Sequence, residues 1–306
     1  MIRARLVCTW MPLLAAGLAV SNAAAGPAGF AFLEIPTGAR ASGMGGAYAS
    51  VAQGAEAAFW NPAGLEGVNG VEVTGGHYEM FEKLRHDHFS VAGRMLGGGV
   101  SGSVRALYSE PIDERDELGN LIGSFGSHDL EFGLEYGHPV GWGASVGGSA
   151  QILRERIANS SVTAPAFGLG GTWQPPGSTL RVSLSGHNLG PTARYRIDGT
   201  EGDPISLPTA FQGGVSYQLP LPSRLEVRGA LEGRITRGRN GVGMVGAEIS
   251  HPAGAALRAG LRVNDSASSF SVGAGYSIKS LGLDYAYVPL REDLGDTQRF
   301  SFFARF

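Results

Sequence analysis

The feature that most constrains this chain is a two-residue alternation of apolar and polar side chains that runs to its last residue. In Arg299-Phe300-Ser301-Phe302-Phe303-Ala304-Arg305-Phe306, one row holds Phe300, Phe302, Ala304 and Phe306, and the other holds Arg299, Ser301 and Arg305. Phe303 breaks the pattern. An extended segment of this period meets an apolar medium on one face and a polar one on the other. A strand ending on an aromatic residue fits a membrane barrel, whose outward side chains meet lipid and whose rims carry aromatic girdles. Phe306 is read as the C-terminal barrel-insertion signal, offered to the barrel assembly machinery during insertion.

Similar segments recur from residue 71 onward, separated by turn residues. They are Val71–Met80, His88–Leu96, Val100–Tyr108, Asp129–His138, Ala144–Arg156, Ala164–Gln174, Leu180–Leu189, Thr209–Gln218, Leu225–Arg234, Val242–Ser250, Ala256–Val263, Ser269–Ile278, Leu281–Val288 and Gln298–Phe306. That makes about fourteen, an even number, as closure of an up-and-down antiparallel barrel requires. In one segment Leu130, Phe132, Leu134 and Tyr136 oppose Asp129, Glu131, Gly133 and Glu135. A soluble β-sandwich or solenoid shows the same alternation with its apolar face turned inward. Charge placement argues for the barrel, because the polar row carries both signs: Asp129, Glu131, Arg181, Glu226, Arg228, Asp284 and Arg305. Such a lumen builds a salt-bridged, partly filled interior. Lysine occurs only at Lys83 and Lys279 among 24 basic residues, and the forked guanidinium suits fixed pairing.

The opening residues read as an export signal, 1–25: Arg3 and Arg5 precede an apolar run from Leu6 to Val20, and Ser21-Asn22-Ala23-Ala24-Ala25 offers a cleavage site after Ala25. The run falls short of the ~20 residues a retained anchor needs. Cys8, the chain's one cysteine, goes with the signal, leaving no disulfide or thiol chemistry. The formal charge of −3 becomes −3 − 2 = −5 on losing Arg3 and Arg5, which argues against nucleic acid as a partner. No later stretch approaches 18 apolar residues, so the spans are strands rather than helices. The expected order is therefore signal 1–25, an N-terminal hatch segment 26–70 inside the barrel, and the outer-membrane barrel 71–306.

The hatch does not alternate. It is rich in small residues, with short helical possibilities from Ala55 to Trp60 and a turn at Asn61-Pro62. Its run Gly38-Ala39-Arg40-Ala41-x-Gly43-Met44-Gly45-Gly46-Ala47, followed by Ala57-x-x-Trp60-Asn61-Pro62-Ala63-Gly64-Leu65, resembles the N-terminal signature of the PorV/PorQ family, within the wider FadL-like outer-membrane barrels. Gly186-x-Asn188-Leu189-Gly190-Pro191, Leu207-Pro208-Thr209-Ala210-Phe211 and Leu283-Asp284-Tyr285-Ala286-Tyr287-Val288-Pro289 agree with it. The resemblance implies a fourteen-stranded barrel plugged by a hatch whose signature residues are Gly38, Arg40, Gly43, Gly45, Gly46, Trp60, Asn61 and Pro62. It also implies two roles. PorV-like members hold secreted cargo proteins in type IX secretion and pass them to cell-surface attachment components. FadL-like relatives move hydrophobic compounds across the outer membrane.

Three patterns bear on chemistry. Gly143-Ala144-Ser145-Val146-Gly147 has the letters of a nucleophile elbow, but strand-like residues follow where a helix is needed. His86-Asp87-His88 could chelate through two side chains on one face, yet no third ligand is in view, and a turn entering a strand fits better. Asn159-Ser160-Ser161 is an incidental sequon. No catalytic residue, cofactor or metal is expected, and no enzymatic activity. The long loops Ser109–His128 and Gly190–Pro208, with the shorter Pro289–Thr297, belong on the extracellular side. The first of these mixes Leu118, Leu121, Ile122 and Phe125 with acids, which suits a surface that contacts protein. The leading expectation is a secretion-linked scaffold. The alternative is a transporter of hydrophobic solutes, with a hydrophobic ligand or lipid as partner, and it requires an apolar pocket at the hatch.

Overall fold

The computed structural model describes residues 29–197, 199–221, 225–291 and 294–306. The export signal, its cleavage site and Cys8 lie outside the described residues.

In chain order the strands are β1 (Val71–Glu79), β2 (Leu84–Met95), β3 (Gly98–Ser109), β4 (Ile112–Arg115), β5 (Leu121–Phe125), β6 (Ser127–Gly141), β7 (Ala144–Ile157), β8 (Ser160–Trp173) and β9 (Leu180–Leu189). They continue with β10 (Ala193–Ile197), β11 (Thr200–Ile205), β12 (Ala210–Pro220), β13 (Glu226–Thr236), β14 (Val242–Ser250), β15 (Ala255–Val263), β16 (Phe270–Ile278), β17 (Leu281–Pro289) and β18 (Asp296–Arg305). Fourteen of these close into one antiparallel barrel. The seam is shut by β1 and β18, paired Val73 with Ala304 and His77 with Phe300. The chain's final amide reinforces it, with Phe306 N–H donating to Val71 O at 2.8 Å.

The outer and inner faces follow the alternation. Phe132, Leu134, Ile152, Leu169, Leu231, Leu283 and Phe300 stand exposed outside, while Glu131, Glu135, Glu232, Arg258, Asp284 and Arg299 are buried inside. This inverts the arrangement of a soluble sandwich, and a band of aliphatic and aromatic side chains around a closed barrel is a lipid-facing surface. Among the described residues no helix is long and apolar enough to cross a membrane. Phe303, the residue that breaks the terminal alternation, turns inward over Gly282, with the Arg305 guanidinium 4.9 Å from its ring centroid.

All fourteen expected barrel segments are strands, with shifted ends. β2 starts at Leu84, so His86-Asp87-His88 lies within a strand instead of at a turn entering one. Two loops expected to be irregular contain hairpins. β4 pairs with β5 inside 109–128, and β10 with β11 inside 190–208. β10 also bonds the top of β8, with Arg196 facing Ser161, which extends the wall where β9 stops. Of the charges assigned to a filled lumen, Asp129, Glu131, Arg181 and Asp284 are buried. Glu226 and Arg305 are exposed near the mouth.

Residues 70 and 306 share one end of the barrel, here the terminal end. The turns from β3 to β6 and from β9 to β12 lie at the other, the loop end, which is extracellular in barrels of this kind. The hatch starts at the loop end, where Gly29 N–H bonds Ser206 O at 3.3 Å, and descends through the lumen to β1.

Candidate functional site: the hatch and its vestibule

The hatch is seated on two glycine surfaces of the wall. In the first, Gly99, Gly137, Gly147 and Gly170 are direct register partners on β3, β6, β7 and β8, forming a transverse row without side chains. The short 3-10 turn Pro62–Gly67 lies in that trough. A Cβ on Gly147 would overlap the backbone of Pro62 and Ala63, and one on Gly170 would overlap Asn61. Asn61 starts the turn: its Oδ1 accepts from Ala63 N–H at 3.1 Å, and its Nδ2 donates to Gly171 O at 3.3 Å. Capping and wall anchorage thus need one amide side chain. Trp60 Nε1 donates to Thr37 O at 2.9 Å, and its ring meets Tyr48 edge-on at 5.7 Å, so the descending halves of the hatch brace each other.

The second surface is formed by Gly246, Gly260 and Gly273 on β14, β15 and β16, against which Gly43, Met44 and Gly45 pack. Gly45 and Gly46 have φ of 68° and 78°, a left-handed turn that a side chain would strain. Gly45 N–H donates to Ser271 Oγ at 3.1 Å and Gly45 O accepts from Arg262 Nε at 3.0 Å. Gly46 O accepts from Gln212 Nε2 at 3.1 Å. Gly38 N–H donates to the Tyr78 hydroxyl. Arg40 forks onto Glu248 with two bonds of 2.8 Å, and Glu248 is held from its other side by Arg258 at 2.6 Å, itself 2.6 Å from Asp284. Glu232 accepts from Ser50 N–H at 2.8 Å and Ser50 Oγ at 2.6 Å.

The signature residues thus fall in two groups. Gly38, Arg40, Gly43, Gly45 and Gly46 meet the wall at β1, at β12 and from β14 to β16, while Asn61 and Pro62 gather at the transverse row and Trp60 next to them bonds Thr37 within the hatch. Phe306 joins neither: it stands 78% exposed at the terminal end.

Above the hatch, at the loop end, is a cavity of about 710 Å³. One side of this vestibule is apolar, with Phe32, Ile35, Phe81, Leu84, Leu107 and Val288, and the floor carries Arg234, Arg262 and Arg299. Arg262 is 2.6 Å from Asp265. Arg234 and Arg299 have no carboxylate within ion-pair distance among the described residues. Arg299 instead bonds Ser42 Oγ at 2.9 Å and Pro36 O at 3.1 Å and lies over the Tyr78 ring at 5.0 Å. Arg234, Ile35 and Pro36 also border an inner cavity of about 20 Å³, beside Gln151, His187 and the Arg105–Glu131 pair, which is room for one water. Beside the vestibule the lumen wall is apolar: Leu153, Val162, Ala164 and Ala166 bury Phe30, Phe32 and Leu33. A polar cavity of about 330 Å³ lies below the hatch, among Arg40, Glu56, Arg228, Glu248 and Arg258. A depression of about 690 Å³ on the lipid-facing wall overlies Gly75, between Phe89, Tyr285, Phe300 and Phe302.

The remaining patterns are placed as follows. Ser145 lies in β7 opposite Thr172, with strand on both sides. His86 and His88 point inward with ring centroids 6.2 Å apart and Asp87 outward, and no cluster of three metal-ligating side chains is present among the described residues. Sequence reasoning passed over Phe32, Ile35 and Arg234. Phe30-Ala31-Phe32-Leu33-Glu34-Ile35 carried the signal, as an apolar cluster with no strand alternation.

No protein-family model and no curated protein matches the chain. Solved structures do. The CymD monoaromatic hydrocarbon channel is 14% identical, covers 89% of this chain and 98% of its own, and superposes with a TM-score of 0.60. The Pseudomonas putida toluene transporter TodX is 12% identical, with 88% and 96% covered and a TM-score of 0.56. A Pseudomonas aeruginosa FadL homologue is 13% identical, with 88% and 97% covered and a TM-score of 0.55. At these identities the likeness is one of fold alone, a fold this chain shares with CymD, TodX and the FadL homologue.

Proposed function

We propose that this protein is a non-enzymatic outer-membrane transporter that takes hydrophobic solutes from outside through the vestibule above its hatch. The observation that carries the reading is the 710 Å³ cavity with an apolar side and a guanidinium floor. A solute's apolar body packs on Phe32, Ile35, Phe81, Leu84 and Leu107, and any acceptor end meets Arg234 or Arg299. At roughly 25 cal/mol per Å², burying about 200 Å² of hydrocarbon stabilises the bound state by about 5 kcal/mol before association costs. Further passage requires the hatch to shift, because its turns rest directly on the glycine surfaces. The neighbours CymD and TodX, described as a hydrocarbon channel and a toluene transporter, support this reading by fold. The test is binding of a radiolabelled alkane and a radiolabelled alkyl carboxylate to purified barrel. Saturable binding lost in Phe32→Arg supports the proposal, and no saturable binding of either sinks it.

A second reading rests on the β4–β5 hairpin, which presents Ile112, Leu118, Leu121 and Ile122 to solvent, Leu118 at 87% exposure. Such a patch suits the PorV/PorQ-type role of a type IX secretion-linked scaffold for secreted cargo and surface-attachment components. Crosslinked pull-down from native outer membranes separates the two. Secreted proteins sharing one C-terminal domain favour the scaffold, and the barrel alone favours the transporter.

A further inference from the structure

We infer that the outer wall at β1 and β2 carries a binding site for one zwitterionic diacyl phospholipid, with an acyl chain in the depression over Gly75 and the head on the His77–Asp87 ion pair. The pair faces outward, its side chains 49% and 42% exposed, and His77 Nδ1 donates to Asp87 Oδ1 at 2.6 Å. The other carboxylate oxygen accepts from the Tyr108 hydroxyl at 2.8 Å. The depth of the pair follows from the registers. Ala106, Asp87, His77, Phe300 and Tyr285 stand side by side on one outward rung of β3, β2, β1, β18 and β17. Strands tilt in a barrel, so a rung climbs steadily around the wall, and the pair lies in height between Ala106 and the lipid-facing Phe300. The rung below is apolar, with Val104, Phe89, Gly75 and Phe302, and the rung above brings Arg85, Glu79 and Gln298. His77 and Asp87 are thus charges at the edge of the lipid-facing band. Charges on a lipid face cost stability, and a polar partner that meets them there offsets that cost.

The depression supplies the apolar half of the site. Gly75 places no side chain between its register partners Phe89 and Phe302, and Ala274 leaves a second gap beside Tyr285, so a space of about 690 Å³ reaches down to the sheet. The ladder beneath is unbroken from Phe302 through Gly75 to Phe89, so the site lies on the wall and is not an opening through it. The polar half is a balanced strip. His77, Lys83 and Arg85 stand against Glu79, Asp87 and Glu110, with Arg85 Nη2 2.9 Å and Lys83 Nζ 3.1 Å from Glu110. Both oxygens of Asp87 are occupied, so the imidazolium turns its second N–H, at Nε2, towards a phosphate oxygen. A zwitterionic head brings that phosphate together with an ammonium for Glu79 or Glu110 and adds no net charge. An anionic lipid would leave one charge uncompensated. The inference is independent of what the barrel transports.

The experiment presents detergent-purified barrel with equal amounts of phosphatidylethanolamine and phosphatidylglycerol and counts bound lipid by native mass spectrometry. One phosphatidylethanolamine per barrel is expected to be retained, in preference to phosphatidylglycerol. His77→Phe should weaken its binding about tenfold or more. Ala274→Trp, which fills the depression from an exposed position, should abolish retention. Val245→Trp, on the lipid-facing side of β14, is the control and should change nothing. A second arm needs no substitution: wild-type barrel is placed in phosphatidylethanolamine vesicles carrying a diazirine on one acyl chain. Crosslinks should concentrate on the peptides 71–79, 84–91 and 298–303 above all other lipid-facing peptides. Equal retention of the two lipids, equal loss in Ala274→Trp and the control, or crosslinks spread evenly around the barrel each overturns the inference. So does displacement of the lipid by an alkane, which assigns the depression to a hydrophobic solute instead.

Discussion

Replacing Gly147 with alanine tests how the hatch is held. A methyl group there would overlap backbone atoms of Pro62 and Ala63, and a backbone has no rotamer with which to move aside. Overfilling a packed site costs about 1–3 kcal/mol. The strain falls on the turn and not on the strand, whose pairing to Gly137 and Gly170 does not depend on the side chain. The population in which the turn has left its trough should therefore rise by about 5- to 150-fold. Gly229→Ala is the control, because a Cβ there meets nothing within 4 Å. It should be neutral or stabilise the strand by about 0.5–1 kcal/mol, since glycine weakens strand interiors. Hydrogen exchange of the 60–70 peptide in detergent micelles reads both variants. Equal protection in the two would refute the idea that the transverse glycine row exists to admit the hatch.

Glu248→Gln removes the carboxylate shared by Arg40 and Arg258 and should cost about 3–5 kcal/mol of hatch or barrel stability, measured by the urea midpoint of refolding in micelles. Arg234→Gln should weaken binding of an alkyl carboxylate by about tenfold or more while leaving an alkane of the same length unaffected, measured by equilibrium binding of the two radiolabelled solutes. In the β4–β5 hairpin, the Asn120 side-chain amide first, and then its backbone N–H, hold the Asp116 carboxyl below its usual range. A lowered carboxyl supports the turn above its ordinary value of about 3.9 and loses that support as pH falls through the lowered one. The Asn120 amide resonance should therefore stay fixed from pH 7 down to about 4 and shift only below it.

The barrel was legible because its side chains answer to one rule on every strand. Where a row meets lipid it is apolar, and Phe132, Leu134, Leu283 and Phe300 obey that rule wherever they occur. The reading failed where the medium changed. On β8 the lumen row is Val162, Ala164 and Ala166, apolar because it faces hatch side chains instead of water, so its polarity no longer marks the inside. The β4–β5 and β10–β11 hairpins are short, and no single medium imposes alternation on them. The small-residue run from Gly38 to Ala47 stands out in the sequence by its lack of alternation, but its seat does not. Gly99, Gly137, Gly147 and Gly170 are far apart in the chain and become one trough only once four registers are fixed. The vestibule escaped for a related reason, since Phe32 from the hatch, Leu107 from β3 and Arg234 from β13 meet only inside the closed barrel.

The most direct test of the account is uptake. Cells expressing the wild-type barrel, the Phe32→Arg variant or no barrel would be given a radiolabelled alkane and a radiolabelled alkyl carboxylate at low concentration, with barrel levels matched by immunoblot. The vestibule predicts saturable uptake above the barrel-free cells for wild type, and its loss in the variant, whose guanidinium projects into the apolar wall. Uptake in wild-type cells no greater than in cells without the barrel would contradict the transport account and leave the hairpin surface as the site of function.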